Sequence, residues 1–549
     1  MKKTGPAGSV LLLAAIAGCE GGGTKIEGPL PDLVLANLTL SRSELVTAET
    51  LGIVAEIANN GEGATPAAFF VRLSVDGATR ATVQASRLEP DSSTAVEFTA
   101  GPFETGSHTI ELTVDPDGEI EELQEDNNSA GRSVRVQEQR SIGLNSPVTV
   151  SSSTVNEVLL FRVEITEPSD EALNVELSGG SGDADLFVHY GERPGHQYRY
   201  RCLSGNAASD ELCQLVPTRT GTYHIAVHAY TAFGPSALEV TVGGKEVEPY
   251  DVELVFLKSG TGSQDNIIRH AAKRWEAVIG QGAADFDFSG NPLDAGTCGP
   301  GSPAVNDVVD DIRIYVTIDS IDGPGGSDGN IVGQAAPCSW RLVVFQAPGG
   351  QQRDTIHRQV LRGFIRLDEY DVAQMESRGV LRSVVTHEMA HVFGFGTLWD
   401  VHDRLRNPSV PDKPSEDTHF EGPLTIAAFD LAGGAAYSGR KVPVENSGLQ
   451  GSADGHWRQS VFENELMTPF LVPGGHPMSA ITLESLYEIG YEINLGEAES
   501  FGLSQVGVAG MAKPSGPVIY LGNDIARVPI RGLDQKTGRV VKVIYPEGR

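Results

Sequence analysis

Two histidines four residues apart, His387 and His391 in VVTHEMAHVFGFGTLW, constrain this chain more than any other feature. If both imidazoles are to reach one ion, that spacing requires a helix, because residues i and i+4 share a helical face. Val384, Val385, Met389, Ala390 and Val392 give the same helix an apolar side for a core. Gly394 supplies a residue able to turn left-handed where the helix must stop. Glu388 sits too close to His387 in sequence to share the ion comfortably, which leaves it free to take a proton from an activated water. A catalytic centre of this kind uses three protein ligands and keeps one position open. The third donor must therefore come from elsewhere in the chain.

The rest of the sequence says what surrounds such a helix. At 549 residues the chain exceeds what one core supports, and roughly 150 residues per domain predicts three or four domains. The balance of 41 basic against 73 acidic side chains leaves a formal charge of -32, which repels nucleic acid. Residues 1–19, MKKTGPAGSVLLLAAIAGC, have a basic start, an apolar run and small residues ahead of Cys19, the pattern of an export signal. No later stretch reaches the 18 or so continuous apolar residues of a membrane span. Residues 20–30 are glycine-rich and read as a flexible tether. Calcium is conceivable at the acidic run Asp115 to Asn128 but is unsupported, and a solvated acidic turn is the simpler reading.

Residues 31–137 alternate polar and apolar positions in short stretches such as LGIVAEIAN, FFVRLSVDG and HTIELTVD, as in a β-sandwich. A second all-β segment occupies residues 138–245. From 249 to 496 the pattern becomes mixed α/β, with strands expected at Val252 to Leu257, DDIRIYVTID, Ile331 to Gln334, Leu342 to Phe345 and Gly363 to Leu367. A helix is expected from about Met375 or later through Phe393, and the last part of that run is the part that matters. The tail 497–549 contains short strand-like runs and no recognisable chemistry, and either completes the catalytic domain or docks a partner. Apart from Cys19, the cysteines form two local pairs, Cys202 with Cys213 and Cys298 with Cys338; they lack close CxxC spacing, and disulfides are expected in an exported chain.

Several of these segments resemble known families. Ile16-Ala17-Gly18-Cys19 resembles the bacterial lipobox, which implies a lipid on Cys19 and a place in the bacterial cell envelope, at the outer membrane or cell surface, or release from it. The opening PDLVL and closing HTIELTVDPDGEIEELQEDNNS resemble an immunoglobulin-like, adhesion-related bacterial module, which would take a surface ligand. GDADLFVHYGERP and GTYHIAVHAYTAFGPSALEVTV resemble the pre-peptidase C-terminal domain of secreted proteases. The short metzincin pattern HExxHxxGxxH would put its third histidine at 397, where this chain has Thr397. That departure, with KVPVEN, HWRQSVFENELMTPF and ITLESLYEIGY, resembles the leishmanolysin-like family, in which an insertion precedes the third histidine.

The resemblance implies His456 as third ligand, Met467 as the methionine of a turn beneath the metal, one catalytic Zn2+, Glu388 as general base, and protein or peptide substrates. His402, His419 and His476 are rivals on composition alone, and His270 reads as a structural histidine. The expected architecture is therefore two N-terminal β-sandwiches followed by an α/β metzincin-type zinc protease domain. Two competing readings are a non-catalytic surface adhesin with an inactive protease-like domain, and a zinc hydrolase of non-peptide substrates.

Overall fold

The structure, a computed structural model, describes residues 28–191, 193, 201–205, 208–244, 247–323, 331–346, 353–409, 417–437, 441–447, 452–472, 475–503 and 518–545. The expected export signal, with Cys19, lies outside the described residues, as does all but the end of the tether. Two compact units divide between Glu138 and Gln139.

The first unit is a sandwich of a three-stranded sheet, Leu33–Leu40, Leu51–Asn59 and Ser93–Ala100, over a five-stranded one in the order Glu44–Val46, Ser129–Gln137, Gly106–Val114, Phe69–Val75 and Ala78–Ala85. Its cause is the two-residue period: Leu51, Ile53, Ala55 and Ile57 point inward and the residues between them outward. The acidic run is solvated at Asp117, Glu119, Glu121, Glu125 and Asp126, and departs from a solvated turn at two carboxylates. Asp115 and Glu122 are buried. Asp115 accepts the amides of Glu119 and Ile120 at 3.2 and 2.8 Å, and Glu122 accepts the Leu33 amide and, at 2.9 Å, the Asn128 side chain. Asp115 holds the loop together and Glu122 fastens it to the first strand, so the oxygens of both carboxylates are spent on donors of the chain.

The second unit contains a further sandwich and the α/β region. The sandwich pairs a four-stranded sheet, Val148–Ser152, Phe233–Val242, Leu173–Ser178 and Glu211–Leu215, with a five-stranded one, Cys202–Ser204, Ala184–Tyr190, Gly221–Ala229, Val158–Ile165 and Gln139–Ser141. The Cys202–Cys213 disulfide joins the two sheets. Arg219 leaves this sandwich to dock on the α/β region. It makes two 3.0 Å bonds to the Glu484 carboxylate and one to the Ile493 carbonyl, and its guanidinium lies 4.1 Å from the centre of the Tyr487 ring.

The α/β region is built on a six-stranded sheet in the order Val252–Lys258, Ile312–Asp319, Arg353–Asp368, Gly333–Gln346, Ile530–Asp534, Val540–Ile544. The expected short strands around 331–334 and 342–345 are one long strand, Gly333–Gln346, antiparallel to Arg353–Asp368. The last two strands come from the tail, so the sheet is not complete at residue 496. Helix Gly262–Val278 starts in a capping box, with Thr261 and Gln264 bonding each other's backbone amides, and buries Ile268, Ala271, Ala272, Trp275 and Val278. His270 is exposed on its other side. The helix expected from about Met375 or later through Phe393 is Leu381–Val392, and Gly379 at φ 71° separates it from a shorter helix, Val372–Ser377. The Cys298–Cys338 disulfide ties a loop to the long strand. Among the described residues no helix is long and apolar enough to cross a membrane.

Candidate metal centre

Helix Leu381–Val392 is buried along almost its whole length, and His387, Glu388 and His391 are each fully inaccessible. It is held in place by the neighbouring helix: Trp275 donates its indole N–H to the Thr386 carbonyl at 3.1 Å. The helix stops as its sequence predicts. Gly394 takes φ 106°, and its amide and that of Phe395 bond back to His391 and Ala390. Gly396, at φ 70°, lies so close to the backbone at Gly455 that a Cβ there would stand 2.2 Å from the Gly455 oxygen. Thr397, at the place of the short pattern's third histidine, donates its hydroxyl to the His391 carbonyl at 2.8 Å and so caps the helix end.

This close approach delivers His456. Its carbonyl accepts the Glu445 amide at 2.8 Å, which explains why KVPVEN travels with HWRQSVFENELMTPF. Trp457 then donates its amide to the Met467 carbonyl at 3.0 Å. Met467 is fully buried, and its turn is braced by Glu465, which accepts the Met467 amide at 2.6 Å and the Ser479 and Thr482 hydroxyls at 2.7 and 2.5 Å. The preceding carbonyl, of Leu466, accepts from His387 Nδ1 at 2.7 Å.

The three imidazoles converge. His387 Nε2 lies 3.1 Å from His391 Nε2 and 3.2 Å from His456 Nε2, and the last two are 3.2 Å apart. The remaining nitrogens all face carbonyls: Leu466 for His387, Phe395 for His391 at 2.9 Å, Ser452 for His456 at 3.1 Å. A neutral imidazole carries one N–H, and a carbonyl can only accept, so each ring presents a bare Nε2 lone pair to the other two. Three buried lone pairs facing one another repel unless a cation sits between them. Burial pushes His387 down to about 4; at His456 burial acts in the same sense but is outweighed by the Asp524 carboxylate, which raises it.

Asp524 is the residue that sequence reasoning missed. Its Oδ2 lies 2.9, 3.1 and 3.5 Å from the Nε2 atoms of His387, His456 and His391, and these four donors form the one group suited to a metal among the described residues. Burial opposes its charge, but the three imidazoles hold its carboxyl well below the usual range. A tetrahedron with edges of this size has its centre about 2 Å from each corner, the length of a zinc–nitrogen bond. The donor set therefore fits a tetrahedral divalent ion. No signal in the isolated sequence could have found Asp524: GPVIYLGND contains one aspartate among apolar and turn residues, and only the fold brings it to the histidines.

Glu388 is the other unusual group. Both its oxygens are buried without a hydrogen-bond partner among the described residues, and burial followed by the Asp524 charge pushes its carboxyl well above the usual range. The rival histidines are elsewhere: His419 Nδ1 contacts the Asp417 carbonyl, His476 Nε2 the Val472 carbonyl, and neither these nor His402 joins the cluster.

Residues 352–511, which carry all three histidines and Glu388, match the leishmanolysin family model. This region is a leishmanolysin domain. It is preceded by a CARDB domain at residues 30–132 and a bacterial pre-peptidase C-terminal domain at residues 157–229, the order and kinds that the resemblances implied. Similar solved structures include the CARDB domain of a Pyrococcus furiosus protein, determined with di-metal ions (24% identical, 21% of this chain and 97% of that one, TM-score 0.18). Another is the pre-peptidase C-terminal domain of a Bacillus anthracis collagenase (16%, 19% and 97%, TM-score 0.16). Among characterised proteins, alkaline serine exoprotease A of Vibrio alginolyticus is 27% identical over 93 residues, 17% of each chain. The chain thus spans about a sixth of that relative's length. The leishmanolysin match ends at residue 511, before Asp524.

Proposed function

We propose that the chain is an exported zinc endopeptidase whose leishmanolysin domain cleaves extracellular proteins or peptides. The observation that carries this reading is the convergence of three bare imidazole nitrogens beside an unpartnered buried carboxylate. His387, His391 and His456 would hold the zinc. When bound, zinc supplies Lewis acidity, polarising a scissile carbonyl and acidifying the attacking water. Glu388 takes the proton from that water and passes it to the leaving nitrogen, a task suited to a carboxylate whose proton affinity burial has raised. Gly333 leaves it room: a Cβ at that position would lie 2.9 Å from Glu388 Oε1.

Two disulfides fit an oxidising compartment. Cys19 would tether the mature chain to the cell envelope, so palmitate labelling is expected in wild type and lost in Cys19→Ser. The catalytic test is zinc content and cleavage of an unfolded protein such as casein. Glu388→Gln is expected to keep about one zinc and lose cleavage by at least a hundredfold; His456→Ala is expected to lose the zinc. A wild type that binds no zinc would sink the protease reading and favour the adhesin one.

A further inference from the structure

A centre built for catalysis keeps a position open for water and substrate, yet here a carboxylate stands in it. Asp524 is held there from both sides. Upstream, Ile519–Tyr520 pair with Phe470–Leu471, just past the Met467 turn, and the Leu521 amide bonds to the Pro469 carbonyl at 2.8 Å. At Asp524 itself the carbonyl accepts the Ala335 amide at 2.7 Å, and the Ala526 amide returns to the Ala335 carbonyl at 2.9 Å. The chain then continues along the same strand, pairing Ile530–Asp534 in parallel with its 339–342 segment. The tail is thus strapped across the centre, and it consumes the backbone groups of Ala335 that an incoming extended peptide would need. Asp524 is 1% exposed, and its Oδ1 makes no hydrogen bond among the described residues, so only Oδ2 is engaged, and only by the three histidines.

We propose that Asp524 is a fourth ligand to the metal and that the 519–534 segment is an internal inhibitor, keeping the centre closed until the strap is displaced. This rests on the zinc-site reading above. A cysteine-based lock is ruled out for the described cysteines, because Cys202 is bonded to Cys213 and Cys298 to Cys338. Opening would be a ligand exchange in which no covalent bond of the chain changes: the bond from the Asp524 carboxylate to the ion would break and one from water or a substrate oxygen would form in its place.

The test compares the wild-type chain with Asp524→Ala and Asp524→Asn, each loaded with Co2+ as a spectroscopic probe and separately with zinc. Ligation predicts a changed visible spectrum on replacing the carboxylate and metal loss to a chelator accelerated about tenfold. Inhibition predicts that cleavage of a short peptide rises at least tenfold, and that acetohydroxamate, which must displace Asp524 in wild type, binds at least tenfold more tightly to Asp524→Ala. Identical cobalt spectra in wild type and both variants would overturn the ligation. Variants that fold, judged by circular dichroism, but cleave no faster than wild type would overturn the inhibition. The double variant Glu388→Gln, Asp524→Ala separates the two readings: if it retains the raised cleavage, that cleavage does not come from a Glu388-based centre and the proposed mechanism fails, whereas its new cobalt spectrum alone still supports Asp524 as a ligand.

Discussion

Single atoms decide what this centre can do. Each histidine spends its one proton on a carbonyl, and the three carbonyls come from different stretches of chain: Leu466, Phe395 and Ser452. Orientation of the donors is therefore a property of the surrounding backbone. Gly396→Ala tests this without touching a ligand. Its methyl group would collide with the Gly455 backbone and sit at a φ costing about 1–3 kcal/mol, displacing His456. The expected outcome is at least tenfold weaker zinc affinity in a competition titration, with His387 and His391 intact.

At this scale the sequence was legible where chemistry is local. His387, Glu388, His391 and Gly394 lie within eight residues and obey helical geometry. His456 and Met467 were reachable only through a resemblance, and Asp524 by neither route, since its role depends on a strand register that no local pattern encodes.

Secondary-structure elements were read from period and punctuation, and they failed where punctuation was ambiguous. The two-residue alternation placed the sandwich strands. The start of the motif helix, open in the sequence to Met375 or later, is set by Gly379, whose left-handed backbone ends the shorter helix before it. In the acidic loop of the first unit charge implies solvation, which holds for most of its carboxylates, whereas Glu122 is buried and ties the loop to the first strand. Burial pushes Glu122 up to about 7 from 4.5. A carboxyl whose folded value exceeds its unfolded one contributes stability that is complete below about pH 4.5 and is lost as pH rises through about 7. Urea denaturation should accordingly find the first unit more stable at pH 5 than at pH 8, and Glu122→Gln should remove that difference.

For the whole molecule, the order of the domains was visible in the sequence and their dependence on one another was not. Arg219 and Glu484 are both largely buried, with side chains 11% and 8% exposed. Removing one partner leaves the other's charge uncompensated, at a cost of about 3–5 kcal/mol. Arg219→Ala is expected to lower the thermal midpoint of the second unit, and Glu484→Gln added to it to recover part of the loss; additive effects in calorimetry would refute the pairing. The pre-peptidase C-terminal sandwich is thus part of the platform on which helix Ala480–Glu488 rests.

The four donors also set a clock. His387 and His391 are four residues apart, but His456 lies 69 residues from His387 and Asp524 lies 137 from it. Closing such long loops is slow, and their entropy must be offset before any ion finds four donors. Capture by all four donors is therefore expected last in folding, after the tail strands have joined the sheet. Zinc added at the start of refolding should leave the early rates unchanged and slow only unfolding, so the ion acts as a latch on the finished protein and not as its nucleus.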